Sequence, residues 1–154
     1  MTDNLRQVSL LFLIKDDNIL LAMKKRGFGA GRWNGVGGKP DIGEAIEQTA
    51  VRECQEEIGV TPLDLKHVAT LDFHFPIDKS DFDMQAVVYS CSKWQGEPTE
   101  TEEMQPAWYK FADIPYDKMW ADDKYWLPTV LGGKFVTANF TFDDNDSVAN
   151  YTVS

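Results

Sequence analysis

The segment Gly37-Gly38-Lys39-Pro40-Asp41-Ile42-Gly43-Glu44-Ala45-Ile46-Glu47-Gln48-Thr49-Ala50-Val51-Arg52-Glu53-Cys54-Gln55-Glu56-Glu57-Ile58-Gly59-Val60 changes character partway along. Its first seven residues hold three glycines and a proline, the composition of a loop. From Glu44 to Ile58 neither residue occurs, and then comes Gly59, the usual helix stop, so the pattern predicts a helix over Glu44–Ile58. At about 100° per residue, Glu56 and Glu57 lie at roughly −60° and +40° from Glu53, so three carboxylates share one face. Ile46, Ala50 and Cys54 recur at intervals of four on the adjoining face, which lets the helix bury one side. Cys54 is there a small core residue.

Three neighbouring carboxylates repel one another unless something positive sits among them, and an all-oxygen set suits a hard cation such as Mg²⁺ or Mn²⁺. A solvated acidic face would carry the same pattern; what precedes it separates the two readings. Between Lys24 and Pro40 there is no acid, but there are Lys24, Lys25, Arg26, Arg32 and Lys39, five of the fifteen basic residues. Residues 27–43 also hold seven glycines, which let a backbone come close to a ligand. A cationic glycine-rich loop running into an anionic helix meets the needs of a phosphate substrate with its cations.

Further out, Val8–Ile14 and Ile19–Met23 are apolar runs around the polar cluster Lys15-Asp16-Asp17-Asn18, which predicts a hairpin. His67–Phe75, Met84–Ser92, Ala107–Phe111, Phe135–Phe142 and Val148–Val153 read as strands, with short helices at Tyr116–Met119 and Tyr125–Leu131. Strands joined partly without helices, plus one strong helix, predict a mixed sheet flanked by helices rather than a doubly wound parallel sheet. The 154 residues, 43% hydrophobic and 26% charged, contain no linker or repeat, so one domain over residues 1–154 is expected. A net charge of −10 argues against a duplex nucleic acid partner. The longest apolar run, Leu10–Ile14, is far too short for a bilayer, and the polar start Met1-Thr2-Asp3-Asn4 is no signal peptide. With only Cys54 and Cys91, both expected as thiols, the reading is a cytoplasmic or equally reducing location with no membrane partner.

Gly38, five residues, Glu44, seven residues, Arg52-Glu53, Cys54, one more, Glu56-Glu57, one more, Gly59 and Val60 resemble the complete Nudix box. Cys54 stands where the family usually has a larger aliphatic residue, a change of packing rather than of chemistry. The resemblance implies an α/β/α sandwich with a mixed β-sheet and one main catalytic helix, and hydrolysis of nucleoside diphosphates linked to another group. The stretches from Met23 to Gly35 and from Met119 to Trp126 are similar to the animal branch of the family that acts on oxidised purine nucleoside triphosphates. The likeness is weakest at the first few residues, around Pro76 to Phe82, and after Lys134.

By that resemblance Glu53, Glu56 and Glu57 hold Mg²⁺ with help from the Gly37 carbonyl and from Glu103, whose acidic neighbours Glu97, Glu100 and Glu102 otherwise read as a solvated loop. Water attacks phosphorus, the products are the monophosphate and pyrophosphate, and Glu57 is the candidate general base, with Glu53 and Glu56 as alternatives. Arg52 and Glu44 are structural support. For the base, Phe28, Phe73, Phe75, Met84, Trp120 and Trp126 offer stacking surface, and Asn34, Asp122 and Asp123 offer polar tips. Ser9, Lys24, Val36, Gly37, Gly38 and Lys39 complete the candidate substrate contacts; Ser9 and Val36 replace a threonine and a phenylalanine of the similar enzymes. The substrate implied is 8-oxo-dGTP together with 2-oxo-dATP, handled by a monomer. The alternatives are a Nudix enzyme for methylated purine triphosphates or ADP-ribose, and a non-catalytic nucleotide-binding regulatory module.

Overall fold

The computed structural model describes residues 5–154, so the polar start Met1-Thr2-Asp3-Asn4 lies outside the described residues. In chain order the elements are β1 (Arg6–Lys15), β2 (Asn18–Lys24), β3 (Trp33–Asn34), α1 (Ile46–Ile58), β4 (Thr61–Pro62), β5 (Lys66–His74), β6 (Met84–Cys91), β7 (Trp94–Gln95), β8 (Met104–Lys110), α2 (Asp123–Leu131), β9 (Val136–Phe142) and β10 (Val148–Val153). Short 3₁₀ turns occupy Ile77–Phe82, Phe111–Asp113 and Tyr116–Lys118.

Eight strands form one sheet in the order β10-β9-β5-β6-β1-β2-β3, with β8 along β2 as well. The β1–β6 and β5–β9 pairs are parallel and the other pairs antiparallel, so the sheet is mixed as the sequence predicts. Alternate side chains of the central strands feed two cores. Phe12, Ile19, Leu21, Ala86 and Val88 pack with Trp126, Leu127 and Val130 of α2 on one face. Leu11, Leu13, Leu20, Val87 and Tyr89 pack with Ala50, Cys54 and Ile58 of α1 on the other. Burial on both faces explains why β1 and β6 read as continuous apolar runs rather than alternating ones.

The main helix starts at Ile46, two residues later than expected. Glu44 stays outside it because its carboxylate accepts hydrogen bonds from the Asp41 N–H at 3.0 Å and the Thr49 hydroxyl at 2.7 Å, folding the chain into a turn before the first helical residue. Gln48 accepts from the Ala45 N–H at 2.9 Å, filling one orphan bond at the helix start. The other end is as predicted: Gly59 sits at φ 73° and its N–H returns to the Gln55 carbonyl. Phe111 leaves the strand that Ala107 was expected to share with it and begins a 3₁₀ turn, while that strand reaches back to Met104. Phe75 and Ser92 likewise fall just beyond β5 and β6. The two-residue strands β3, β4 and β7 have no sequence periodicity to announce them.

The predicted hairpin forms, but β1 and β2 pair only beside their turn, at Ile14–Ile19 and Lys15–Asn18. Beyond that point they diverge, and residues 33–38 fill the gap. Trp33 and Asn34 pair with Met23 and Ala22, while Leu11 exchanges bonds of 2.7 and 3.0 Å with Val36 and the Ser9 N–H reaches the Gly38 carbonyl at 2.9 Å. Backbone meets backbone so closely here that a Cβ on Gly37 would lie 1.8 Å from the Ser9 carbonyl oxygen. Gly37→Ala must therefore part the loop from β1, and we expect it to lower stability by about 3 kcal/mol or more in denaturant melts. Among the described residues no helix is long and apolar enough to cross a membrane.

Candidate active site

The inserted loop, the open ends of β1, β5 and β6 and the start of α2 surround a cavity of about 320 Å³. Its two ends differ in chemistry. At one end lie Gly37, Gly38, Lys39, Lys24 and Glu57; toward the other lie Asp122 and Asp123 among aromatic side chains.

At the first end Glu57 is only 5% exposed and accepts a hydrogen bond from the Gly37 N–H at 2.9 Å. Burial pushes its carboxyl up to about 8; the Gly37 N–H and Lys24 oppose the shift, while the charges of Glu53 and Glu103 add to it. Burial, with Glu56 and Glu103 nearby, raises Glu53 as well, against the pull of Arg52. Glu53 also leans on the loop so closely that a Cβ on Gly38 would meet its carboxylate oxygen at 2.1 Å.

Arg52 anchors this corner. It grips Glu44 through Nε at 2.9 Å and Nη2 at 3.0 Å, a two-pronged contact that holds Glu44 down to about 2, and it donates to the Lys39 carbonyl at 3.0 Å. The supporting geometry expected of Arg52 and Glu44 is thus present. The same guanidinium lies 3.4 Å from Glu53 and 3.2 Å from Glu56. In consequence the three carboxylates share a helix face but not a common centre, and among the described residues no three acidic, His or Cys side chains stand in ligating array. Glu56 is turned to solvent, Glu103 is exposed with Arg26 3.9 Å away, and Gly37 meets Glu57 through its N–H.

The donor set nevertheless fits a hard divalent cation. Glu57 is a carboxyl whose proton is retained first because it is buried and then because Glu53 and Glu103 are close, and a cation placed among them would relieve burial and repulsion together.

At the second end Asp122 and Asp123 are each 2% exposed. Asp122 accepts from the Trp126 indole N–H at 2.8 Å, and its carboxyl is pushed up to about 6 by burial in spite of that bond. Burial and the charge of Asp122 raise Asp123 well above the ordinary range. Asp123 Oδ2 is buried without a hydrogen-bond partner. Phe28, Phe73, Phe75, Met84 and Trp120 line the walls, and Phe28 stacks on Trp120 with centroids 5.2 Å apart. Ser9 and Asn34 line it too; the Asn34 side-chain oxygen is taken by the Gly35 N–H at 2.8 Å, which leaves the amide nitrogen as its donor.

Two expected substrate contacts are corrected. Val36 is 3% exposed and does not line the cavity; it pairs with Leu11 and points into the core beneath α1, because residues alternate sides along an extended segment. Trp126 is fully buried between sheet and α2, and it reaches the site only by holding Asp122. Sequence reasoning also missed lining residues. Phe82, Phe142 and Arg32 stand in the wall, and the Arg32 guanidinium lies 4.2 Å from the Trp120 ring centre. For Phe142 the alternation of apolar and polar residues along β9 was the available signal; for Phe82 there was none.

A profile of the NUDIX domain matches residues 4–130. The chain is 40% identical over 148 residues to the mouse protein named oxidized purine nucleoside triphosphate hydrolase, covering 96% of this chain and 94% of that one. It is also 40% identical over 144 residues to the zebrafish protein of the same name, covering 94% and 91%. Among solved structures, the MutT protein from Bacillus halodurans superposes with a TM-score of 0.85 at 24% identity, covering 97% of this chain and 98% of that one. With the box residues in place on a mixed sheet between two helices, this chain belongs to the Nudix family of hydrolases.

Proposed function

We propose that this protein hydrolyses oxidised purine nucleoside triphosphates, 8-oxo-dGTP and 2-oxo-dATP, to the monophosphate and pyrophosphate with Mg²⁺ or Mn²⁺, and so removes damaged precursors from the nucleotide pool. The observation that carries the substrate is the unpartnered, buried Oδ2 of Asp123 in an aromatic cavity. A buried polar atom without a partner is costly unless a ligand supplies one, and a pair sharing a proton both donates and accepts, which suits bases whose edges differ. The names of the mouse and zebrafish relatives agree with this reading.

Nudix hydrolases generally use a divalent metal, and Glu53, Glu56 and Glu57, with Glu103 beside them, are the residues that would hold it here. When bound it neutralises phosphate oxygens and makes water easier to deprotonate. Lys24 and Lys39 bring positive charge to the polyphosphate, and the Gly37-Gly38 turn removes side-chain bulk from its path. Glu57, whose buried carboxyl keeps its proton at neutral pH without metal and would give it up beside a bound cation, takes the proton of the attacking water once ionised. Phe28 and Trp120 fix the plane of the base, and Asp122 and Asp123 read its edge. A deep cavity and a net charge of −10 favour a free nucleotide over a duplex, taken up by a single copy of the chain.

A panel of nucleotides with Mg²⁺ tests the reading. Pyrophosphate is expected as the product, fastest from 8-oxo-dGTP, with activity rising from neutral to alkaline pH and abolished by exhaustive chelation. Release of AMP from ADP-ribose as the faster reaction, or full activity after chelation, would overturn it.

A further inference from the structure

One wall of the cavity comes from a segment that neither the glycine loop nor the carboxylate helix supplies. Ile77–Phe82 joins β5 to β6, and Asp83 closes it into a ring of chain: its Oδ1 accepts from the Phe75 N–H at 2.7 Å, and its own N–H donates to the Ser80 carbonyl at 3.0 Å. His74 Nδ1 lies 3.6 Å from Asp83 Oδ2, and Arg6 donates to the Asp81 carbonyl. Held at both ends, this segment delivers Phe82 to the cavity, where its ring lies 4.0 Å from that of Phe28 at an angle of 10°.

A second set of contacts ties the segment across the cavity mouth. Asp146, at φ 59° between β9 and β10, lies 3.7 Å from Lys79 Nζ through one carboxylate oxygen and 3.1 Å from Arg32 Nη2 through the other. Arg32 in turn covers Trp120. One carboxylate therefore joins three separate stretches of chain around the opening.

We propose that Phe82 is a base-binding residue in the wall of the cavity, with Asp146 as the positioning residue that holds Lys79 and Arg32 in place around it. Phe82 remains 39% exposed on an otherwise polar segment, Asp78-Lys79-Ser80-Asp81, so it fills no core position. One face of its ring is already covered by Phe28, and the apolar surface that remains exposed is open to a flat group entering the cavity. The ring contact of Phe82 is with Phe28, so its effect falls on base binding and not on the transferred proton.

This inference rests on the cavity being a base site, and its test is arranged to separate the two. Steady-state kinetics are compared for the wild type, Phe82→Ala, Phe82→Tyr and Asp146→Asn, on 8-oxo-dGTP or on whichever nucleotide the wild type turns over best. Phe82→Ala should raise KM by about three- to tenfold with kcat within about twofold of the wild type, and Phe82→Tyr should restore KM. Asp146→Asn should raise KM in the same direction. Quenching of tryptophan fluorescence by the nucleotide without metal should shift in parallel, independent of turnover. An unchanged or lowered KM in Phe82→Ala, or a loss confined to kcat, overturns the role of Phe82; an unchanged KM in Asp146→Asn overturns the tie. A wild type that prefers an undamaged nucleotide sinks the substrate reading, and the KM split on that nucleotide still decides the present one.

Discussion

Glu57→Gln is expected to fold, to bind nucleotide, and to turn it over at least about a hundredfold more slowly. The shape is kept, and the new amide oxygen can still accept from the Gly37 N–H that Glu57 holds at 2.9 Å. What disappears is a charge that forms only when the buried carboxyl gives up its proton, and that charge matters most as water attacks phosphorus. Without metal the carboxyl spends much of its time protonated at neutral pH, since burial lifts it to about 8. The amide therefore costs the metal-free protein little, and its melting temperature should match or exceed that of the wild type. The rise in melting temperature on adding Mg²⁺ should shrink. Near-normal turnover would show that another group removes the proton.

Asp123→Ala should lower kcat/KM for 8-oxo-dGTP by on the order of ten- to a hundredfold or more, with the Mg²⁺ requirement unchanged. The substitution removes the partner of a buried base group while leaving Glu57 and its neighbours untouched. The pair also carries a pH signature with a definite sign. Both carboxyls are raised by burial, so the folded state holds protons more tightly than the unfolded chain. Stability from this source is complete below the ordinary carboxylate range near pH 4 and drains away as pH climbs past about 6, where Asp122 ionises beside its neighbour. Asp123→Asn removes the like charge. Its melting temperature should gain on the wild type between pH 5 and pH 8.5. If Asp122→Ala and Asp123→Ala both kept the wild-type preference for 8-oxo-dGTP over dGTP, the pair would be a loop cap and no more.

The chemistry of the phosphate end was legible because it is written in consecutive residues: a helix period fixes where Glu53, Glu56 and Glu57 lie once the helix exists. Their side-chain positions were not legible, since Arg52 and the Gly37 N–H compete for them in space. The base end was harder. Phe28, Phe73, Trp120 and Trp126 look alike as sequence, and only packing separates three that line a cavity from one that is sealed behind Asp122. Val36 was misplaced because a two-residue periodicity cannot be counted in a glycine run. Phe82 was invisible because its contacts depend on how Asp83 folds the segment before it. The strands were read to within a few residues, apart from those too short to show a period.

The wedge of residues 33–38 between β1 and β2 has a bearing on how the protein comes to be active at all. The turn proposed to receive the phosphates is also a rung of the sheet, bonded to Ser9 and Leu11. An ordinary loop could be disordered while the scaffold stood, or be grafted onto another scaffold as a cassette. This one can do neither. Its closing contacts join residues more than twenty positions apart, so the turn keeps its shape only while β1 lies beside it. Whatever loosens β1 therefore loosens the turn with it, and scaffold and cradle share one stability.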